Sequence, residues 1–239
     1  MKKAIAIAML AISLALCATI AISPKAFAGD KWTGCYGGLI VGYSASKIDT
    51  TADVAGLGAA LGVDGLGAAG ATFGGTAGCD YRVAGPIVIG VWGEYLSHDQ
   101  TVTISSALLP GTVATAGLDT QWAIGGRVGA VLNDNVLLYG VAGYTQAAFD
   151  AIDVPPAGVS FKLEDASGYI VGGGAEFALP MKGFSLDLRY TYSHFDKESV
   201  EVIPSLVSLG MQPDVHTARL GLLYRFGATD LAAIPVPGK

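Results

Sequence analysis

Residues 214–226, DVHTARLGLLYRF, alternate strictly. His216, Ala218, Leu220, Leu222, Tyr224 and Phe226 fall on one face. Val215, Thr217, Arg219, Gly221, Leu223 and Arg225 fall on the other. A period of two is the mark of a β-strand. The pattern recurs along the chain and predicts strands over 32–46, 71–83, 87–97, 119–132, 136–149, 164–179, 184–193 and 214–226.

In each strand the bulkier apolar set is taken as the outer face. It holds Leu39, Val41 and Tyr43, then Phe73 and Tyr81, then Ile89, Val91 and Tyr95, then Trp122, Ile124 and Val128. It continues with Leu137, Tyr139, Val141 and Phe149, then Tyr169, Val171 and Phe177, then Phe184, Leu186, Leu188, Tyr190 and Tyr192. The inner face of 136–149 is then Gly140, Tyr144 and Gln146.

Connections alternate in length. Residues 47–70, 98–118, 150–163 and 194–213 read as long connections, and the Thr, Val and Ile content of 98–118 could extend its hairpin beyond the membrane. Ala84-Gly85-Pro86, Asn133-Asp134-Asn135 and Pro180-Met181-Lys182-Gly183 read as tight turns, rich in residues that accept turn backbone. An even strand count with one long-loop end and one short-turn end suits a membrane β-barrel. Each strand is long enough to cross a bilayer obliquely. The fold class is therefore all-β: an eight-stranded antiparallel up-and-down transmembrane barrel. Its short turns would be periplasmic and its four long loops extracellular.

Composition sharpens this. The chain has 239 residues, 51% hydrophobic and 14% charged, where a soluble domain has about 25% charged. After the N-terminus no apolar run approaches the ~18 residues of a membrane-spanning helix. Lys2 and Lys3, an apolar stretch and Ala26-Phe27-Ala28 read as a signal peptide over 1–28. Its removal takes Lys2, Lys3 and Lys25 away and leaves 11 basic against 20 acidic residues, a net charge of −9. Such an acidic chain argues against nucleic acid as a partner. The barrel domain is expected over 29–226, and 227–239 as a short periplasmic extension.

The inner faces carry Asp80, Arg82, Glu94, Arg127, Glu176, Asp187, Arg189, Arg219 and Arg225. Buried charges persist only when paired and hydrogen-bonded. Four acids and five arginines in a narrow barrel can pair across the lumen, and the inner glycines leave room for them. A soluble lipocalin-like barrel is the structural rival, with its apolar face turned inward.

Several motifs resemble a known family: Trp32-Thr33-Gly34-x-Tyr36-x-Gly38, Gly125-x-Arg127-x-Gly129 before Leu137-Leu138-Tyr139, Gly172-x-Gly174-x-Glu176-Phe177, and Leu220-x-Leu222-x-Tyr224-Arg225-Phe226. In order and spacing they resemble the OmpA-type, porin-family "outer membrane immunogenic" proteins of alphaproteobacteria. The resemblance covers residues 31–226. It implies an outer-membrane surface protein that supports envelope integrity, and no enzyme. Two departures stand out. Thirteen residues follow Phe226, where the family ends on its final aromatic, and cysteines stand at 35 and 79.

Cys35 and Cys79 fall near the short-turn end of neighbouring strands, both outward. In an oxidising periplasm they are candidates for a disulfide, against two small lipid-facing residues. His98, His194 and His216 lack the carboxylate spacing of a metal site. Ser193 and His194 are adjacent and point to opposite faces, so they form no nucleophile–base pair. No catalytic residue, cofactor or metal is expected. The expected role is structural, with the lumen filled by ion pairs. A small porin or narrow ion channel is one alternative, and an adhesin acting through residues 47–70 and 194–213 another. Expected partners are outer-membrane lipids, lipopolysaccharide and the assembly machinery, with the barrel a monomer.

Overall fold

The computed structural model describes residues 30–54, 60–105, 112–149, 152–154, 159–161, 165–196, 198–203 and 207–226. The proposed signal peptide and the tail 227–239 lie outside these residues.

Eight long strands make the wall. They are β1 (Gly34–Val54), β2 (Ala60–Ala84), β3 (Ile87–Ser105), β4 (Thr112–Asn133), β5 (Val136–Phe149), β8 (Ala166–Ala178), β9 (Phe184–Phe195) and β11 (Val207–Phe226). Three short strands, β6 (Ile152–Val154), β7 (Val159–Phe161) and β10 (Glu198–Ile203), stand at the long-connection end. Each wall strand pairs antiparallel with its neighbours. β11 pairs with β1 from Cys35↔Phe226 to Val54↔Val207. That last pairing closes the sheet on itself, so the wall has no free edge. A hydrocarbon medium demands this, because it offers no partner to an orphan backbone amide.

The short turns behave as their residues require. Gly85 and Gly183 have φ of +53° and +80°, a region that costs glycine little. The backbone N–H of Asn135 donates to Asn133 Oδ1 at 3.0 Å.

At the other end the strands run beyond their expected limits. Residues 47–54 and 60–70, expected as loop, continue the β1–β2 ladder, and the 98–118 connection continues β3 and β4. The Ala/Gly composition holds no helix caps. Its small residues offer no obstacle to strand pairing, so the ladder propagates.

Burial sorts the two faces. Leu39 is 76% exposed and Leu188 54%, whereas Arg127, Glu176 and Arg189 are buried within the lumen. An apolar exterior around a charged interior is the reverse of a water-soluble fold and matches a wall in lipid. Aromatics band the exterior in two rings. Tyr81, Phe177, Phe184, Tyr224 and Phe226 lie towards the short turns. Tyr43, Phe73, Tyr95, Trp122, Tyr144, Tyr169, Tyr190 and Tyr192 lie towards the long connections.

One strand departs from its expected phase. In β5, Leu137, Tyr139 and Val141 are buried inside, and Leu138 and Tyr144 face outward. Gln146 also faces out and accepts a hydrogen bond from Trp122 Nε1 at 3.0 Å. The side chain of Phe149 lies outside the description. The cause is register. Directly paired residues share a face, and Leu137 pairs with Glu176 and Tyr139 with Gly174. The charge on β8 thus sets the phase of β5, which has no charge of its own.

Candidate functional site

The lumen is the candidate site, and it is filled in layers. At the short-turn end the segment before β1 folds across the mouth. Asp30 accepts from the Trp32 backbone N–H at 3.1 Å and from Thr33 Oγ1 at 3.0 Å. These bonds turn Trp32 inward, where it is 2% exposed and clusters with Val88, Val131 and Leu137. Arg82 stands at this mouth, not among the inner charges. It pairs with Asp30 at 3.4 Å and donates from Nε to Gly85 O at 2.5 Å.

The other eight charges named from the sequence form two neutral quartets. In the first, Asp80 and Glu176 face Arg127 and Arg225. The contacts are Arg127–Asp80 at 3.2 Å, Arg127–Glu176 at 2.6 Å, Arg225–Asp80 at 3.0 Å and Arg225–Glu176 at 3.0 Å. Ser185 Oγ also donates to Glu176 at 2.7 Å. In the second, Glu94 takes Arg219 at 2.5 Å and Arg189 at 3.5 Å, and Arg189 reaches Asp187 at 3.3 Å. The Arg189 contacts act by charge, without the alignment of a hydrogen bond.

Tyr139 joins the quartets. Its hydroxyl donates to Asp187 and accepts from Arg189 Nε at 2.8 Å. Its ring lies 3.7 Å below the Arg127 guanidinium carbon, a cation–π contact. Tyr36 performs a similar service for Arg225, at 4.9 Å. Glycines make room for both rings. A Cβ at Gly174 would sit 2.6 Å from Tyr139 Oη, and one at Gly78 2.5 Å from Tyr36 Oη.

Above the quartets comes a neutral polar layer. Ser44 Oγ lies 3.0 Å from His98 Nδ1. Gln121 Nε2 donates to Thr145 Oγ1 and to Ser193 Oγ, both at 2.9 Å. Leu118, Ala147, Ala166, Phe195 and Val215 then pack as an apolar plug.

The family model described as "Outer membrane protein beta-barrel domain" matches residues 13–226. The chain belongs to this family. Its location is the outer membrane, which places the short turns in the periplasm and the long connections outside the cell. No curated protein matches by sequence. Among solved structures, the outer membrane protein OprG of Pseudomonas aeruginosa is 15% identical, with a TM-score of 0.53. The match covers 82% of this chain and 98% of that one. The attachment invasion locus protein Ail of Yersinia pestis is 16% identical (TM-score 0.39), with 78% and 99% covered. Neisserial surface protein A is 15% identical (TM-score 0.38), with 79% and 97% covered. OprG shares the barrel fold.

Within this family member, Cys35 and Cys79 occupy directly paired positions on β1 and β2. Their sulfurs are joined, with Cα atoms 3.9 Å apart. The features that sequence reading missed are Tyr139, Trp32, the Ser44–His98 contact and the apolar plug. Tyr139 was findable by aligning β5 to Glu176. The Ser44–His98 pair spans 54 positions and has no local signal. Among the described residues no cluster of three or more metal-binding side chains occurs.

Proposed function

We propose that this barrel is a closed structural element of the outer membrane, non-catalytic and non-conducting. The observation that carries this reading is the layered lumen. Two neutral quartets sit between the Trp32 stopper and the Phe195 plug. Mobile ions need a continuous polar path, and here apolar layers bound fixed charges that already neutralise one another. A monomer that is delivered by the assembly machinery after loss of its signal peptide, and held by outer-membrane lipids, completes the proposal. Planar-bilayer recording tests it. The expected record shows no steady conductance, and sizeable steady steps would establish a pore instead.

A second reading is favoured by the raised strands. Beyond the wall, β10, β11, β1 and β2 continue as a four-stranded leaf. An ordered leaf outside the cell suits a binding surface. Deleting residues 50–63 while keeping the wall would abolish binding to a host-cell layer in an adhesive protein and leave a purely structural one unchanged.

A further inference from the structure

The lipid-facing wall carries a polar cluster where apolar groups are the rule. Tyr190 and Tyr192 on β9 and Asp214 and His216 on β11 all face outward. His194, Tyr169 and Lys47, which pairs directly with Asp214 on β1, complete the group. The Tyr192 hydroxyl donates to Asp214 at 2.9 Å, and His194 Nδ1 lies 2.7 Å from the same carboxylate. Tyr190 Oη lies 2.7 Å from His216 Nδ1. The rings form one surface: Tyr169–His194 centroids are 5.1 Å apart and Tyr192–His216 5.0 Å. The cluster stands in the extracellular aromatic band, at headgroup depth of the outer leaflet.

A groove opens to one side of it, on β4, β5 and β8, in the ladder row that runs Gly126, Ala142, Val171, Tyr192 and His216. This shallow, open depression of about 440 Å³ lies on the lipid-facing wall, floored by Gly126, Gly140 and Ala142 and flanked by Val128 and Val171. The two features are continuous along the wall. Val171 pairs with Ala142, the next outward pair up is Tyr169 with Tyr144, and Tyr169 pairs with His194. A molecule spanning both needs an alkyl chain for the groove. It also needs a head that offers hydroxyls to a carboxylate and C–H faces to aromatic rings. That is an acylated saccharide.

We infer that Tyr169, Tyr190, Tyr192, His194, Asp214 and His216 bind the sugar head of an outer-leaflet glycolipid, one of whose acyl chains fills the Gly126–Gly140 groove. The occupant follows from place and chemistry: the groove faces the membrane, and the cluster beside it joins hydroxyls, a carboxylate and aromatic faces at headgroup depth. The inference rests on the outer-membrane location and is independent of whether the lumen conducts.

The glycines allow a clean test. A Cβ at Gly126 meets nothing within 4 Å, and one at Gly140 only Gly172 O at 3.7 Å. Gly126→Leu with Gly140→Leu therefore puts side chains into the groove from unobstructed Cβ positions. Asp214→Ala with His216→Ala strips the head site. Full-length barrel purified in mild detergent would be titrated with lipopolysaccharide, and separately with phosphatidylethanolamine, by native mass spectrometry. Heat-modifiable gel migration verifies that each variant is folded. Both double variants are expected to weaken lipopolysaccharide binding by roughly tenfold, the loss of one or two hydrogen bonds or equivalent contacts, with phosphatidylethanolamine unaffected. Unchanged lipopolysaccharide binding, an equal loss for both lipids, or loss of barrel self-association by the groove variant would each overturn the inference.

Discussion

Arg127 on β4 reaches across the whole width of β5 to hold Glu176 on β8 at 2.6 Å. Both side chains are fully buried. The contact spans three strands of the wall from inside, which no backbone ladder does. Glu176→Gln would leave Arg127 and Arg225 sharing Asp80 alone. Removing one partner of a buried pair costs about 3–5 kcal/mol. The variant should lose its compact gel band at a lower temperature than the parent. A double variant, Arg127→Met with Glu176→Leu, should recover much of the loss, since no charge is left stranded.

Tyr139→Phe keeps the ring over Arg127 and removes only the hydroxyl between Asp187 and Arg189. An orphaned buried partner costs about 1–3 kcal/mol. Urea unfolding followed by tryptophan emission should move by that amount. Tyr144→Phe, on the outer face of the same strand, should leave the midpoint near the parent value. Equal effects at the two positions would restore the opposite phase for β5.

Inner and outer glycines should respond differently. Gly174→Ala would place a methyl 2.6 Å from Tyr139 Oη, whereas Gly126→Ala meets open space. Overpacking costs about 1–3 kcal/mol, and an unobstructed surface change stays within about 0.5 kcal/mol. Melting of the folded gel band should separate the two variants.

The Cys35–Cys79 bond encloses a sequence separation of 44. Intact-mass measurement of unreduced protein should find both thiols consumed. Reduction, or Cys35→Ser with Cys79→Ser, should lower stability by about 2–4 kcal/mol. Two alkylatable thiols in protein isolated from the outer membrane would show the bond is not formed there.

How far the chain announced this structure depends on where it placed charge. Arg127, Glu176, Asp187, Arg189 and Arg219 each fixed the phase of their own strand, because a charge facing the hydrocarbon core is excluded. Residues 136–149 have no charge, and Leu137 and Leu138 are equally apolar, so their phase is settled only by pairing with β8. Arg82 has the right parity but lies one inward position beyond Asp80, part-exposed at the mouth, where Asp30 pairs with it. Trp32 looked like the start of a strand. Its inward turn depends on Asp30 two residues earlier. Residues 47–70 read as a loop because Ala and Gly carry no alternation to follow, yet backbone pairing needs none.

The seam between β1 and β11 has a consequence for biogenesis. Cys35 and Phe226, neighbours in the wall, are 191 positions apart in the chain. The first strand must therefore wait, unpaired on one side, for the final strand to be delivered. A product that stops short of residue 207 has two bare edges and no way to join them. Closure is thus a proofreading step: the barrel certifies, by its own geometry, that the chain was read through its last wall strand.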